Sequence, residues 1–379
     1  MYLSILAKLR DTGWGKELDF LGAEGIENMS DMPVVRQPAK LTPGAWLKVR
    51  ASLDCFLKAT RAKRLDTEFR AVLRARFELL EEAITAHYVT LPRTAHMDCR
   101  PKYIDFALTP ECRAIADVAE SETVTTAQFA AVVPALAAKW DADRRRELTA
   151  YLLPLLGHVA PDVDPLALAI ALFKTSWRRS ELMRYPAILA YGCGEGDCFR
   201  TRSCSTEEFY ADDLYTRTTK TLHWTEADFK TLAHVDEYAA MYVPFNIEEL
   251  AEPIEAREVV DTMRLVVAAL GLDPARATFD ELERCEVWLR CSSCETRYRS
   301  EEINAMSWSA AYAHAKWDVS RKRPTAWRYA DDEDMAKVCA LHEAQFEKAY
   351  TGAAVRWSCA LCPRFDANAA AMTVHLEEA

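Results

Sequence analysis

The residues of this sequence whose type and spacing most clearly indicate chemistry are its cysteines. The chain has 379 residues, and twelve of them are cysteines. Two Cys-x2-Cys pairs occur, and they are Cys291/Cys294 and Cys359/Cys362. Chance predicts about 0.4 such pairs in a chain of this length and composition. A pair at this spacing directs two thiolates at one point, which is the usual half-site of a zinc ion. The two pairs therefore predict structural zinc near the C-terminal end of the sequence.

The second pair has the sequence context of a ββα zinc finger. His375 follows Cys362 after twelve residues, and Asn368–Glu378 is predicted to form the helix. Met372 lies where such a finger places a core aliphatic side chain. A complete finger needs a second histidine three to five residues after the first, and Leu376–Ala379 contains none. We expect a finger degenerated by a shortened C-terminus, a site closed by a ligand from elsewhere, or a metal-free ββα-like remnant.

The first pair has a more distant histidine. His314 follows Cys294 after nineteen residues, on a predicted helix over Ile303–Lys316. Cys339 and His342, three residues apart on one side of another helix, are the next candidates for the remaining ligands. The alternative interpretation is a core thiol at Cys339 and a surface histidine at His342. Zinc at either site would be structural, because a closed ligand set stabilises a small fold and leaves no position for a substrate.

The sequence contains no motif of the common catalytic classes. Gly-x-Ser-x-Gly, His-Glu-x-x-His and the P-loop are all absent. Acidic runs such as Asp331–Asp334 are typical of solvated helix faces or caps. We therefore predict a non-enzymatic protein with no catalytic residues and no evident small-molecule substrate. A site assembled from residues distant in sequence would leave no such motif.

The charge of the chain argues against nucleic acid as its main partner. With 47 Lys+Arg and 58 Asp+Glu, the formal net charge is -11, which repels phosphate over most of the surface. The basic run Ser320–Arg328 is followed at once by Asp331–Asp334. The predicted finger helix over Ala367–Glu378 offers no Arg or Lys to read guanine. We expect a protein partner, with nucleic acid the less favoured one, and the basic run is alternatively a solvated loop.

The elements that must position these residues are predicted to be mainly helical. Apolar residues at helical spacing predict one long helix, and few segments alternate with the period of two that strands require. The sequence predicts a mainly α fold, in which a multi-helix array is followed by a small α+β zinc-finger-like C-terminal region. The expected helices cover Asp66–His87, Thr126–Trp140 with a kink at Pro134, Asp141–Leu156, Val259–Leu270 ending at Gly271, and Asp331–Ala349.

Chain length suggests two or three domains. We predict an N-terminal helical domain over residues 1–200, a helical middle region over 201–280 and a Cys/His-rich zinc-finger-like region over 281–379. The sequence shows neither a secretory signal nor the ~20 consecutive apolar residues that a membrane helix needs. The predicted location is therefore cytoplasmic or nuclear, where thiols stay reduced, and no membrane partner is expected.

Short motifs along nearly the whole chain carry a family resemblance. They include Gly13-Trp14, Tyr185-Pro186 and the two Cys-x2-Cys units, the last within Trp357–Cys362. With these motifs the sequence resembles a family of uncharacterised proteins from basidiomycete fungi, many of which are labelled F-box proteins. The resemblance implies paired, often degenerate zinc fingers at the C-terminus and no known activity.

The same resemblance implies a further role, that of a substrate receptor for a ubiquitin ligase. An F-box is a three-helix unit of about 45 residues that begins with Leu-Pro, and residues 1–50 do not show this pattern. Leu91-Pro92 is followed by a sequence that departs from it. The chain thus lacks the docking element that this role requires. The leading hypothesis is an interaction protein with structural zinc, and the alternatives are a nucleic-acid-associated zinc-finger factor and a ubiquitin-ligase substrate receptor.

Overall fold

In the computed structural model the chain is mainly helical, and only small two-stranded sheets accompany the helices. The predicted fold class is therefore confirmed. The structure describes residues 2–36, 40–91, 99–174, 182–190, 201–204, 206–224, 239–298, 305–320, 325–351, 357–359 and 366–378. No helix within these ranges combines the length and the apolar character needed to cross a lipid bilayer.

The helices account for most of the described chain. The segment Arg10–Trp14 connects the first two of them through a kink at Gly13, whose positive φ of 89° is one that a residue with a Cβ rarely adopts. The α-helices are α1 (Tyr2–Leu9), α2 (Gly15–Ser30), α3 (Pro43–Val89), α4 (Tyr103–Ala107), α5 (Pro110–Ala116), α6 (Thr126–Leu156), α7 (Thr206–Ala211), α8 (Leu214–Lys220), α9 (Pro253–Ala269), α10 (Phe279–Glu283), α11 (Ser292–Tyr298), α12 (Trp308–Ser320), α13 (Asp332–Thr351) and α14 (Ala369–Glu378).

The described strands are short and form two-stranded pairs. They are β1 (Phe173–Lys174), β2 (Leu182–Met183), β3 (Thr201–Cys204), β4 (Ala239–Tyr242), β5 (Leu289–Cys291), β6 (Trp327–Tyr329), β7 (Trp357–Ser358) and β8 (Asp366–Ala367). The strands pair in chain order, and β1–β2, β5–β6 and β7–β8 are antiparallel. These small ladders agree with the scarcity of period-two segments in the sequence.

The chain divides into two compact units, each built from segments that are distant in sequence. Unit 1 consists of Met1–Glu81, Ala107–Phe129 and Cys204–Ala239, and unit 2 consists of Glu82–Phe106, Ala130–Ser203 and Ala240–Ala379. The division into residues 1–200, 201–280 and 281–379 used contiguous segments and stays a prediction.

The core of unit 1 contains the apolar stripe predicted for Asp66–His87. Phe77 and Leu80 of α3 are fully buried, and the ring of Phe77 meets the ring of Tyr215 edge-on at a centroid distance of 5.3 Å. The hydroxyl of Tyr215 donates to the carbonyl oxygen of Ala107 at 2.5 Å. A residue of α8 thus joins α3 to the end of α4 within this unit.

A buried arginine connects α3 to the segment that follows α5. The guanidinium of Arg76 donates to the carbonyl oxygens of Ala116, Val118, Ala119 and Glu122 at 2.7–3.1 Å. Arg76 is only 5% exposed, so these four acceptors satisfy a cation that burial would otherwise destabilise. A single side chain therefore fixes the backbone of this loop.

The core of unit 2 depends on the packing of α9 against α12. Val260 and Met263 of α9 are fully buried, and Ala311 and Ala315 of α12 belong to the same apolar cluster. Alanine allows two helix backbones to approach closely, so the rotation of α12 about its axis is fixed by this face. α9 ends where the sequence analysis placed its end, at Gly271 with a φ of +81°.

Several predicted helix boundaries differ from the structure. The helix predicted over Asp66–His87 begins already at Pro43, and the one predicted over Ile303–Lys316 spans Trp308–Ser320. One helix was also predicted to end at Trp140 and another to begin at Asp141, whereas α6 is continuous from Thr126 to Leu156. Neither Trp140 nor Asp141 is a helix breaker, so the backbone hydrogen bonds continue across this position. Pro134 lies inside the same helix.

Candidate metal centre

The hairpin β5–β6 positions the first two sulfur ligands. Cys291 is the last residue of β5, pairs with Trp327 of β6 in antiparallel register, and is fully buried. The backbone N–H of Ser292 donates to the carbonyl oxygen of Ala326 at 2.8 Å, so the ladder continues to the start of α11. Cys294 lies in the first turn of α11 and is half-buried. The strand-to-helix turn therefore holds both thiols on one side.

Helix α12 supplies two further ligands. His314 and Asp318 are four residues apart, which places them on one face of the helix. Ala311 and Ala315 bury a neighbouring face of α12 in the unit 2 core. This packing determines the direction in which the imidazole and the carboxylate point.

The four side chains converge on one point. One ligand atom from each of Cys291, Cys294, His314 and Asp318 lies within 4.8 Å of the other three. Sγ of Cys294 is 3.5 Å from Nε2 of His314, and the same nitrogen is 3.2 Å from Oδ2 of Asp318. Zinc bonds of about 2.0–2.3 Å imply tetrahedral edges of about 3.3–3.8 Å between ligand atoms. The two measured separations are close to these edges.

A buried carboxylate oxygen shows that the residues fit a cation. Asp318 is only 2% exposed, and its Oδ2 accepts no well-aligned hydrogen bond from any described residue, although Nε2 of His314 is nearby. An unsatisfied buried carboxylate oxygen is costly unless a cation compensates it. Two thiolates, one imidazole and one carboxylate form a donor set that suits Zn²⁺.

Ion pairs around the hairpin hold the ligand-bearing elements together. Nη1 of Arg290 lies 2.6 Å from a carboxylate oxygen of Asp334, and Nη2 of Arg328 lies 2.8 Å from one of Glu295. The hydrogen bond from Arg290 lowers the pKa of Asp334, and the hydrogen bond from Arg328 lowers the pKa of Glu295. β5, β6, α11 and α13 are thus connected by charged groups that stay ionised at neutral pH.

An aromatic ring supports the histidine of the centre. The rings of Trp327 and His314 meet edge-on, with centroids 5.6 Å apart. Trp327 also faces Cys291 across the β-ladder, so it is adjacent to two ligands at once. This contact restricts the orientation of the imidazole.

The structure groups some of the sequence-predicted ligands and leaves others apart. Cys291, Cys294 and His314 come together, and Asp318 joins them, whereas Cys339 is not part of this group. Cys339 is exposed on α13, and the side chain of His342 lies outside the part of the chain that the structure describes. Asp318 was not predicted, because it lies beyond the end of the helix predicted over Ile303–Lys316, and only the observed helix places it one turn after His314.

Cys359, the first member of the second Cys-x2-Cys pair, lies in a ββα arrangement. Strand β7 pairs with β8, and α14 follows directly, as the finger pattern predicted. Cys359 is 2% exposed and Met372 is 7% exposed, so both belong to the interior of this small unit. His375 is half-buried on α14, whereas Cys362 lies outside the described residues.

Acidic groups lie beside Arg328, the basic residue of the run that the structure describes. Arg328 pairs with Glu295 and lies 3.9 Å from Asp331. Residues 321–324 of the run lie outside the described ranges. The acidic neighbours weaken attraction to phosphate at this place.

Comparisons with protein-family models, with curated proteins and with solved structures found no match for this chain. The resemblance to basidiomycete F-box-labelled proteins stays a prediction. The function must therefore be inferred from the chemistry of the site itself.

Proposed function

We propose that the chain is a non-catalytic interaction protein in which a structural zinc ion connects the β5–β6 hairpin to α12. The observation that carries this proposal is the convergence of ligand atoms from Cys291, Cys294, His314 and Asp318 within 4.8 Å. The ion would replace a larger apolar core in a region built from short strands and short helices, because binding energy at such a site is also folding energy.

The proposed ion is structural because the protein can fill its coordination shell. Catalytic zinc sites keep one position for water or substrate, whereas structural sites have four protein ligands. Cys291 and Asp318 are almost completely buried, so two of the four ligands are inaccessible to a substrate. This arrangement supports a role in folding over a role in chemistry.

A second zinc ion is proposed in the ββα unit. Cys359 and His375 lie on the hairpin side and on the helix, as in a finger, and Cys362 completes the thiolate pair in sequence. This set has three protein ligands, so its affinity should be lower than that of the first centre. The two sites are therefore separable by metal titration.

A protein partner is favoured by exposed aromatic side chains beside the first centre. Trp317, next to the ligand Asp318, is 53% exposed, and Tyr329 at the end of β6 is 59% exposed. Tyrosine and tryptophan are enriched in the energetically important parts of protein interfaces. The proposed zinc ion would position both rings by fixing α12 and β6.

The test is the zinc content of protein purified under reducing conditions, loaded with zinc and then desalted. Cys291→Ser should lose one zinc ion per chain relative to the wild type, and Cys359→Ser should lose the weaker one. Cys55→Ser is the matched control because Cys55 is exposed on α3, and its zinc content should equal that of the wild type.

The Cys339→Ser variant tests whether the fourth ligand of the first centre, beside Cys291, Cys294 and His314, is Asp318 or Cys339. With Asp318 as the fourth ligand, Cys339→Ser keeps its zinc. Loss of zinc in Cys339→Ser, or a wild type that binds none, would contradict the proposed centre.

A further inference from the structure

Unit 2 contains a cavity that is separate from the metal centre. Its volume is about 470 Å³, which is within the range of about 300–1,000 Å³ typical of small-molecule sites. The described lining comes from the C-terminal end of α3, the residues before α4, helix α6 and the segment around Tyr185 and Pro186. Since a cavity of about 150 Å³ holds one benzene ring, this cavity has room for a body of about two or three fused rings.

The walls of the cavity are mostly apolar and aromatic. Tyr88, Trp140 and Tyr185 contribute three rings, and Ala137 and Ala138 of α6 form part of the wall. Because the side chain of alanine ends at Cβ, these two residues occupy little of the space. Aromatic walls favour a planar aromatic body, which can stack on the rings or meet them edge-on.

The arginine and the carboxylate of the described lining are both engaged by the protein itself. The guanidinium of Arg100 is stacked 4.6 Å from the centroid of the Tyr88 ring, and its Nη1 donates to the Tyr88 carbonyl oxygen at 3.3 Å. Oδ1 of Asp141 accepts a hydrogen bond from the hydroxyl of Tyr185 at 3.2 Å. A ligand with a net charge would be repelled by one of these groups and would lose hydration on entry. The cavity therefore favours an uncharged ligand.

One hydroxyl of a lining residue is left without a partner. The hydroxyl of Tyr88 forms no hydrogen bond with any residue that the structure describes. Burial raises the pKa of this hydroxyl, and the carboxylates of Asp105 and Asp141 act in the same direction, although Arg100 acts to lower it. The hydroxyl therefore stays protonated at neutral pH and can donate to an acceptor atom of a ligand.

We infer that this cavity binds an uncharged, planar aromatic molecule of about two or three fused rings that carries an oxygen acceptor such as a ketone carbonyl. The carbonyl oxygen would accept a hydrogen bond from the hydroxyl of Tyr88, and the fused rings would pack against Trp140 and Tyr185. The inference is independent of the zinc centre, because the two sites share no residue.

The test is fluorescence titration of the full chain with 6-propionyl-2-dimethylaminonaphthalene. This probe is an uncharged naphthyl ketone, and its emission shifts to shorter wavelength in apolar surroundings. Four naphthalenes of nearly equal size then compete with it. In this series, 2-acetylnaphthalene keeps the ketone, 2-isopropenylnaphthalene has carbon in place of the ketone oxygen, 2-naphthoate is an anion and 1-(2-naphthyl)ethylamine is a cation.

The ketone 2-acetylnaphthalene should compete most strongly. We expect 2-isopropenylnaphthalene to compete about fivefold more weakly, because one hydrogen bond is lost. The anion and the cation should each compete at least about tenfold more weakly, because each loses hydration in a lining whose opposite charges already bond to the protein. Stronger competition by 2-naphthoate or by the amine than by the ketone would overturn the inference.

A first variant assigns the hydrogen bond to its donor. Tyr88→Phe removes the hydroxyl and should weaken 2-acetylnaphthalene about fivefold while leaving 2-isopropenylnaphthalene unchanged. Tyr210→Phe is the matched control, because Tyr210 is 64% exposed on α7 in unit 1. It should bind both competitors like the wild type.

A second variant blocks the cavity without removing a polar group. Ala138→Trp should abolish binding of the fluorescent probe, whereas Ala135→Trp, at an exposed position of α6 outside the described lining, should not. Circular dichroism establishes that each variant is folded. The inference is overturned if the probe does not bind at its solubility limit, if Tyr88→Phe weakens the ketone and the alkene equally, or if Ala138→Trp binds like the wild type.

Discussion

Asp318 is the member of the candidate metal centre that the sequence did not predict. Three of the four converging ligands were predictable, because paired cysteines and a downstream histidine form a recognisable pattern. Asp318 was not singled out, because it is one of 58 acidic residues and a carboxylate has no distinctive spacing of its own. Its identity as a ligand depends on its burial and on its position one turn after His314, both of which are properties of the folded chain.

Replacement of Asp318 should weaken zinc binding. Asp318→Ala removes the carboxylate and should lower the affinity by at least about 100-fold, above the 10–100-fold typical of an outer-shell partner. Asp318→Cys should restore or exceed wild-type affinity, since it creates a three-cysteine, one-histidine set. Competition with a chromophoric zinc chelator measures both values. Equal affinities for Asp318→Ala and the wild type would exclude Asp318 as a ligand.

A buried carboxylate in unit 1 should make stability depend on pH. Glu17 is 1% exposed and accepts hydrogen bonds from Arg61 and Arg64 at 3.0 Å. The hydrogen bond from Arg61, assisted by Arg64, lowers the pKa of Glu17 although burial acts to raise it. A lowered folded-state pKa stabilises the protein above the ordinary carboxyl pKa of 4.5, and this stabilisation is lost as the pH falls below it.

The corresponding measurement is urea unfolding of the wild type and Glu17→Gln. At pH 7 the variant should be less stable by about 2 kcal/mol, the usual range for a hydrogen bond to a charged group. The difference should shrink as the pH falls below 4.5. Glu24→Gln, at an exposed position of α2, is the control and should unfold like the wild type at both pH values. A pH-independent difference for Glu17→Gln would contradict this assignment.

Among the elements, α12 determines the geometry of the metal centre. It carries two ligands on one face, and it buries Ala311 and Ala315 on a neighbouring face against the core that contains α9. A helix was predicted here over Ile303–Lys316, and the structure has it over Trp308–Ser320. The packing of α12 against α9 could not be predicted from the sequence, because contacts between residues far apart in sequence leave no local signal.

A larger side chain in this helix interface should reduce zinc affinity without touching a ligand. Ala315→Leu adds volume at a position that is 1% exposed, and overpacking of this kind shifts the backbone at a cost of about 1–3 kcal/mol. The displaced His314 and Asp318 should bind zinc more weakly. Ala313→Leu, at an exposed position of the same helix, should retain the wild-type affinity in the same chelator competition. Equal affinities for the two variants would show that packing does not position the ligands.

The two compact units of the molecule do not follow the order of the sequence, because each combines three separate segments of the chain. Composition and periodicity correctly predicted a mainly helical chain with a small C-terminal Cys/His region. They did not reveal the discontinuous units, because the predicted division used contiguous segments of the chain. Unit 1 instead takes Cys204–Ala239 from the middle of the chain, and Phe77 of α3 packs against Tyr215 within that segment.

A fragment comprising residues 1–200 should therefore fold poorly. It lacks Tyr215, so the buried ring of Phe77 loses its partner and the carbonyl oxygen of Ala107 loses its hydrogen bond. We expect the fragment to retain helical circular dichroism but to unfold without a cooperative transition and to be cleaved rapidly by protease. A fragment that extends to residue 239 supplies the missing segment and is the matched comparison. Cooperative unfolding of the shorter fragment would support the predicted N-terminal domain instead.

The interleaved segments also have a consequence for synthesis on the ribosome. The apolar face of α3 around Phe77 emerges long before Tyr215 is translated, at a rate of about 5–20 residues per second in cells. During this interval the nascent chain presents an uncovered hydrophobic helix to its surroundings. Such a surface is what nascent-chain chaperones bind, so the yield of the folded protein should depend on chaperone supply and on translation speed between these two residues.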